Sequence, residues 1–332
     1  MTKQAAESRA LNDPRRYITD AELRAFHKPR PWIVARDLAF DWFLILGALA
    51  LWGWTRHPLV FVLSFVVISA RQHALNNWVH EASHFSLTRN KALNDWICDI
   101  FAATPHFIAT RDYRSKHKLH HTDLGDPEKD TEIKSRFIIK GLRFWKRCIL
   151  TLLGSSALLT AKTYASQSLG DPEDGRQRLR FLVLTAGTNG VILAWCWYWG
   201  APFAWLYLWF LPLLTLTSLL ATIRVIAEHQ SDEYALAGIE QFDQQLDPAI
   251  TRTISTDWLT AFLLAPVKFN YHFEHHVWPA VPYTSLPALS QLLHDRGFYK
   301  ANPHAYGRSY YQVLGRLIHP EAVSSSKDTV HA

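Results

Sequence analysis

The stretch Asn270-Tyr271-His272-Phe273-Glu274-His275-His276 places three imidazoles within five residues. In a helix, positions i, i+3 and i+4 lie on one face, so the three rings would point the same way. Imidazole nitrogens are common metal ligands. The same spacing recurs in His117-Lys118-Leu119-His120-His121, and His80-Glu81-Ala82-Ser83-His84 adds a pair at i and i+4. The sequence therefore predicts a metal site assembled from distant segments.

The composition is that of an integral membrane protein with large aqueous parts. Charged residues make up 19% of the 332 residues, against about 25% in typical soluble domains. The mean hydropathy of -0.07 averages long apolar runs with strongly charged segments between them. Three cysteines without a Cys-x-x-Cys pair argue against a disulfide framework or a thiolate metal site. They favour a reducing, cytoplasmic location for the chemistry.

The net charge of +6 is explained by basic flanks of membrane helices, so no nucleic-acid partner is expected. Residues 1–36 carry eight Lys or Arg against four acids and lack the apolar core of a signal peptide. We interpret them as a cytoplasmic N-terminal arm. A membrane domain is predicted over residues 37–300, and residues 301–332 are interpreted as a C-terminal tail.

Four apolar runs predict four transmembrane helices arranged as two hairpins. The predicted spans are about residues 38–55, 58–78, 181–199 and 203–224. Basic residues flank the outer ends of the second hairpin, whereas its Gly200-Ala201-Pro202 link carries no charge. The positive-inside rule then places both termini in the cytoplasm. Apolar stretches at 96–110 and 148–161 are short for spans and predict interfacial or buried helices.

With two hairpins, all the histidine clusters fall on the cytoplasmic side. The predicted fold is an all-α integral membrane protein whose cytoplasmic helical cap carries a His-rich di-metal site. Neutral nitrogen ligands suit iron, copper, nickel or zinc, and nine of them are too many for one ion. The predicted ligands are His80, His84, His117, His120, His121, His229, His272, His275 and His276.

The three histidine boxes resemble those of the membrane fatty acid desaturase superfamily, which includes hydroxylases and carotenoid ketolases. The resemblance covers roughly residues 35–300, including a long gap with one hairpin between the second and third boxes. It implies a non-haem di-iron site, O2 as oxidant and electrons from a separate ferredoxin, rubredoxin or cytochrome b5 type of donor. It also implies a ligand on the helix leaving the second hairpin, which His229 matches. Some acyl-CoA members have an Asn one turn before that histidine, where this chain has Val225.

The resemblance implies an O2-dependent oxidase that desaturates an unactivated C–H/C–H pair, with a fatty acyl chain as the favoured substrate. A hydroxylase or ketolase acting on a lipid, a carotenoid or a small molecule remains an alternative. The expected location is the bacterial inner membrane, with multiple membrane passes.

Acidic residues beside the boxes are candidates to accept the second ring N–H of a ligand histidine, which would fix its tautomer. These candidates are Glu81, Asp123, Asp126, Glu228 and Glu274. His73 lies seven residues before His80, on nearly the same helix face. It and Asn77 are candidates for lining the substrate cavity.

Two other functions fit parts of the sequence. His80-Glu81-Ala82-Ser83-His84 also matches the zinc metalloprotease signature, with Glu81 as general base, but that reading leaves the other two clusters without a role. A metal transporter would place its ligands near the middle of the bilayer. The predicted ligands lie beyond the ends of the spans instead.

Replacing Glu81 with Gln separates the protease from the oxidase. A protease would lose its general base and all proteolysis, whereas a histidine-box oxidase is expected to retain its metal and part of its activity. Metal content and turnover of the purified Glu81→Gln variant test this. Retained proteolytic activity would contradict the assignment of Glu81 as a protease base.

Overall fold

The computed structural model describes residues 13–124, 126, 129–130, 141–155, 175–229 and 251–318. Residues 1–12 of the predicted arm, 156–161 of the second short apolar stretch and 319–332 of the predicted tail lie outside these ranges. Within them the helices are α1 Asp20–Phe26, α2 Pro31–Thr55, α3 Pro58–Ser83, α4 Lys91–Cys98, α5 Thr110–Thr122, α6 Leu142–Leu152, α7 Gly175–Tyr198, α8 Trp205–His229, α9 Trp258–Leu263, α10 His272–Val277, α11 Leu286–Asp295, α12 Phe298–Ala301 and α13 Tyr310–Ile318. Two short strands, β1 Thr253–Ile254 and β2 Tyr306–Gly307, pair in parallel.

The chain forms two compact units. The hairpin unit comprises residues 29–115 and 150–222, and the histidine unit comprises residues 1–28, 116–149 and 223–332. The hairpin unit therefore contains α2, α3 and α7, and the histidine unit contains α10 to α13.

In the hairpin unit, α2 and α3 form an antiparallel hairpin. Arg56 ends α2 in the left-handed region at φ 54°, and Pro58 begins α3 one residue after the His57 cap. Proline suits a first helical turn because its missing N–H would have no partner there. The indole of Trp52 donates to the hydroxyl of Tyr207 at 2.8 Å, and the guanidinium of Arg56 donates to the carbonyl of Gly200. The two hairpin tips thus lie side by side.

Three described helices are long and apolar enough to cross a membrane: Pro58–Ser83, Gly175–Tyr198 and Trp205–His229. They correspond to three of the predicted spans, 58–78, 181–199 and 203–224, within two residues at the ends where a span extends beyond its helix. The first predicted span forms the helix α2, of 25 residues, which is not among those three. Its crossing of the membrane, and with it the four-span arrangement, stays a prediction.

The second half of α3 is polar and buried. Polar residues at the depth of a membrane span usually face a protein interior. Arg71 forms an ion pair with Asp41 of α2, with 2.8 Å between Nη1 and Oδ1. The indole of Trp78 donates to the other carboxylate oxygen of Asp41, also at 2.8 Å. Nearby, Gln72 accepts a hydrogen bond from Thr217 and donates to the carbonyl of Trp209. These partners offset the cost of removing charged and polar groups from water.

In the histidine unit, α10 to α12 surround an apolar core. Phe273 and Val277 of α10 pack there with Leu289 and Leu293 of α11 and with Phe298 of α12. The three histidines of α10 and Glu274 occupy its remaining positions. Arg296, just after α11, pairs with Glu22 of α1 and donates to the carbonyl of Tyr17, so the N-terminal segment is fixed to this core.

The close packing of α2 against the end of α7 depends on Gly53. A Cβ there would lie 2.6 Å from Cβ and 3.0 Å from the carbonyl oxygen of Trp199. We expect Gly53→Ala to lower stability by about 1–3 kcal/mol because overpacking displaces the backbone. Thermal unfolding of the purified protein in detergent measures the change.

Gly47 provides the matched control in the same helix, because nothing lies within 4 Å of its added Cβ. Gly47→Ala is expected to leave the melting temperature unchanged or to raise it, since alanine favours a helix by roughly 0.5–1 kcal/mol over glycine. Equal melting temperatures for the two variants would contradict the predicted clash.

Candidate metal centre

Both H-x-x-H-H motifs lie in helices, as predicted: one at the end of α5 and one in α10. Each motif divides its three rings between two clusters. Residues four apart, His272 and His276, point into one cluster, which we call cluster A. His117 and His121 point into the other, cluster B. The third ring of each motif joins the opposite cluster. Helix α5 therefore contributes two rings to cluster B and one to cluster A, and α10 contributes two rings to cluster A and one to cluster B.

Cluster A consists of four histidines from three helices of the histidine unit. One ligand nitrogen from each lies within 4.8 Å of the others. Nε2 of His272 lies 2.9 Å from Nε2 of His229 and 3.0 Å from Nε2 of His276. Nε2 of His120 lies 3.2 Å from Nε2 of His229. All four rings are buried or nearly so, with His276 the most accessible at 9%.

The outer nitrogens of two cluster A rings, His120 and His229, face hydrogen-bond acceptors. Nδ1 of His120 lies 3.0 and 3.1 Å from the two carboxylate oxygens of Asp130. Nδ1 of His229 lies 3.2 Å from the carbonyl oxygen of Val225, one helical turn earlier. Because these acceptors require a hydrogen on Nδ1, each Nε2 presents its lone pair to the centre of the cluster.

The ligand set fits a metal ion. Burial lowers the pKa of His272 and His276 well below the usual value, so both rings are neutral at neutral pH. Neutral Nε2 atoms facing one another repel unless a cation lies between them. Two nitrogens at right angles about an ion, with bonds of about 2.1 Å, lie about 3 Å apart. The separations of 2.9, 3.0 and 3.2 Å between Nε2 atoms in cluster A match that spacing.

Cluster B contains His117, His121 and His275 in the histidine unit. Nε2 of His121 lies 2.9 Å from Nε2 of His117 and 3.2 Å from Nε2 of His275. Burial lowers the pKa of His275 well below its usual value. In the hairpin unit, His80 and His84 lie together at the end of α3, with ring centroids 5.1 Å apart. Their participation in the same site stays a prediction.

Glu228, on the last turn of α8, is fully buried beside cluster A. Its Oε2 lies 3.7 Å from Nδ1 of His272 and accepts a hydrogen bond from Arg224 at 3.0 Å. Its Oε1 accepts a hydrogen bond from the hydroxyl of Tyr310, on α13, at 2.7 Å. The carboxylate is therefore held on both sides at the outer edge of the His272 ring.

Glu274 is buried in α10, and its role as an acceptor for a ligand histidine stays a prediction. Its carboxylate accepts hydrogen bonds from the hydroxyls of Thr253 and Tyr299, so it fixes α10 to β1 and α12. Burial raises the pKa of the Glu274 carboxyl, and burial together with Glu274 raises that of Tyr299. Glu274 thus holds the backbone that carries three of the histidines.

The remaining acidic candidates are Glu81, Asp123 and Asp126. Oε1 of Glu81 lies 3.6 Å from Nδ1 of His80, and its Oε2 accepts from Ser86. Asp123 accepts from Thr122, and Asp126 accepts from the backbone N–H of Lys129. Their contribution to tautomer selection stays a prediction.

His73 and Asn77 are both buried in α3, at 0% and 2% exposure. They lie in the polar part of the hairpin unit, where His106 approaches Asn76 with 2.8 Å between Nδ1 and Oδ1. The role of His73 and Asn77 in lining a substrate cavity stays a prediction.

Sequence reasoning missed Asp130 and Tyr310. Asp130 follows His120 by ten residues in a charged segment, and no spacing rule connects it to that ring. Tyr310 lies 82 positions after Glu228. An apolar helix with one buried hydroxyl gives no signal of its distant partner.

Comparison with known proteins adds two findings. The family model for fatty acid desaturases matches residues 56–309. Dihydrorhizobitoxine desaturase of Bradyrhizobium elkanii is 27% identical over 295 residues, which cover 84% of this chain and 80% of that protein. The matched residues include all three histidine boxes.

His275→Ala and His276→Ala are expected to lower bound metal, each by up to one equivalent, because each removes a ligand nitrogen from one cluster. His294→Ala is the control, since that ring is exposed on α11. Elemental analysis of the purified variants measures metal per chain. Full metal retention in either ligand variant would remove that histidine from the site.

Tyr310→Phe is expected to weaken metal binding by roughly tenfold, because Glu228 loses a donor that orients it toward His272. Its neighbour Tyr311 is 60% exposed, so Tyr311→Phe is the matched control. Competition with a chelator measures the affinity of each variant. Equal affinities for the two variants would contradict a supporting role for Tyr310.

Proposed function

The chain belongs to the fatty acid desaturase family, and from this premise we propose that it is a membrane-bound, O2-dependent di-iron oxidase. The proposed reaction removes two hydrogens from an unactivated C–H/C–H pair, with a fatty acyl chain as substrate. The family match confirms the resemblance indicated by the histidine boxes. The observation that carries the proposal is cluster A, in which four imidazole nitrogens converge within 4.8 Å.

We assign one iron to cluster A and the second to cluster B, completed by His80 and His84. When bound, the pair of irons would activate O2 and supply the oxidising power for removing hydrogen from carbon. The protein holds the ligand nitrogens in place, and burial lowers the pKa of His272, His275 and His276 so that these rings are neutral. Asp130 holds the hydrogen of His120 at Nδ1, and the carbonyl of Val225 does the same for His229.

The proposed membrane arrangement has four spans in two hairpins, with α2 as the first span. The histidine-rich part forms a cytoplasmic cap, and both termini are cytoplasmic. The apolar α3, α7 and α8 support this arrangement, as do the basic flanks of the second hairpin. We propose a bacterial inner membrane as the location and a ferredoxin, rubredoxin or cytochrome b5 type of protein as electron donor.

A second group of substrates is supported by the comparison. The name of the Bradyrhizobium relative specifies dihydrorhizobitoxine rather than an acyl chain. Val225 also replaces the Asn that some acyl-CoA enzymes carry. A small molecule is therefore the alternative substrate, and hydroxylation is the alternative outcome.

The decisive experiment is aerobic incubation of the iron-loaded protein with a reducing system and two substrate pools, one of host lipids and one of small metabolites. Mass spectrometry reads a loss of about two mass units as desaturation and a gain of about sixteen as hydroxylation. His276→Ala, loaded in the same way, controls for background oxidation. If neither pool changes in an O2-dependent manner, the oxidase proposal is wrong.

A further inference from the structure

The hairpin unit contains a cavity of about 550 Å³, and none of its lining residues is a histidine. Its size lies within the usual range of about 300–1,000 Å³ for small-molecule sites. It is lined by α2, by α4 with the π-helical turn Asp99–Ala103 that follows it, and by α7. Among the lining residues are Leu38, Trp42, Ile100, Val191 and Ile192.

The lining offers an occupant only apolar contacts. Three lining side chains carry an N–H or O–H group, and each already donates within the protein. Thr88 donates to the carbonyl of Asn90, and Thr188 to that of Leu184, both at 2.8 Å. The indole of Trp42 donates to the carbonyl of Phe101, also at 2.8 Å. The cavity therefore suits a hydrocarbon.

The cavity is elongated along α2. Its lining residues on that helix recur every three or four positions from Pro31 to Leu46. Fifteen positions at about 1.5 Å each span roughly 22 Å. One leaflet of a bilayer contributes roughly 15 Å of hydrocarbon. A linear acyl chain matches this length.

Cations lie at one end of the cavity. Pro31 begins α2, and Thr88 follows the end of α3, so both lie at the same end of the antiparallel hairpin. Arg30 directly precedes Pro31, and Arg89 directly follows Thr88; both are exposed. Lys91 is also exposed two residues further on. This end is suited to an anionic headgroup.

We propose that the cavity holds one acyl chain of an anionic phospholipid, with its phosphate near Arg30 and Arg89. Ala35, Ala39 and Phe101 line the cavity and are exposed, so a lipid can enter from the side. The two alanines leave the space that the chain fills. The lipid is a structural ligand of the helices and is not the substrate.

Lipid extraction from the purified protein, followed by mass spectrometry, tests the proposal. Wild type is expected to retain about one phospholipid per chain, richer in anionic headgroups than the source membrane. Ala39→Phe fills the cavity and is expected to lose this lipid. Val183→Phe is the matched control, because Val183 is 59% exposed on α7 and does not line the cavity. Retention of the lipid by Ala39→Phe, or no bound lipid in wild type, would overturn the proposal.

Arg30→Gln and Arg89→Gln test the headgroup. Each is expected to reduce the preference for phosphatidylglycerol over phosphatidylcholine about fivefold, while the number of bound lipids stays the same. If a variant that carries both substitutions keeps the wild-type preference for phosphatidylglycerol over phosphatidylcholine, the headgroup assignment is overturned. Phosphatidylglycerol with brominated chains provides a second measurement, because bromine quenches tryptophan fluorescence. It should quench the fluorescence of wild type more than that of Trp42→Phe. Equal quenching would place the chain elsewhere.

A turnover experiment separates a structural lipid from a substrate. The bound lipid is expected to keep its mass when the iron-loaded protein is reduced in air. Its conversion by two or sixteen mass units would make the cavity a substrate site and overturn the structural assignment. Lipid retention in the extraction experiment is measured without turnover, so failure of lipid binding and failure of the proposed function are distinguishable.

Discussion

The candidate site depends on the convergence of neutral imidazole nitrogens whose lone pairs face one another. In cluster A, His229 approaches both His120 and His272 through Nε2 atoms 3.2 and 2.9 Å apart. Without a cation this arrangement is repulsive, and with one it becomes a ligand set. In the absence of a cation, the fold must therefore hold the rings together through interactions of the protein itself. Burial keeps the α10 rings neutral. Acceptors at Nδ1 fix the orientation of His120 and His229.

Buried carboxylates supply most of that support, and they do so in two ways. Asp130 contacts a ring nitrogen directly, whereas Glu274 binds Thr253 and Tyr299 and so holds the helix that carries the rings. Glu228 combines the two roles, since it faces His272 and is held by Tyr310. A buried carboxylate is costly without partners, so each requires its own donors. The supporting network is consequently larger than the ligand set.

Local periodicity was sufficient to predict the helices that carry the histidine boxes, because i, i+3 and i+4 spacing has one simple geometric meaning. It did not predict how His120 and His275 cross to the opposite clusters, because that depends on how α5 and α10 face each other. Nor did it find Asp130 or Tyr310, which reach the site through tertiary packing alone.

The residues that build cluster A are widely separated along the chain. His120 and His276 are 156 positions apart, by subtraction of their numbers. At roughly 5–20 residues per second, a ribosome needs about 8–30 seconds to make that interval. Until it is complete, His120 exists without its full set of partners. An incomplete set of imidazoles binds copper or zinc more readily than iron, following the general order of divalent-metal affinities. Correct metal loading is thus a problem of timing during synthesis as well as of geometry.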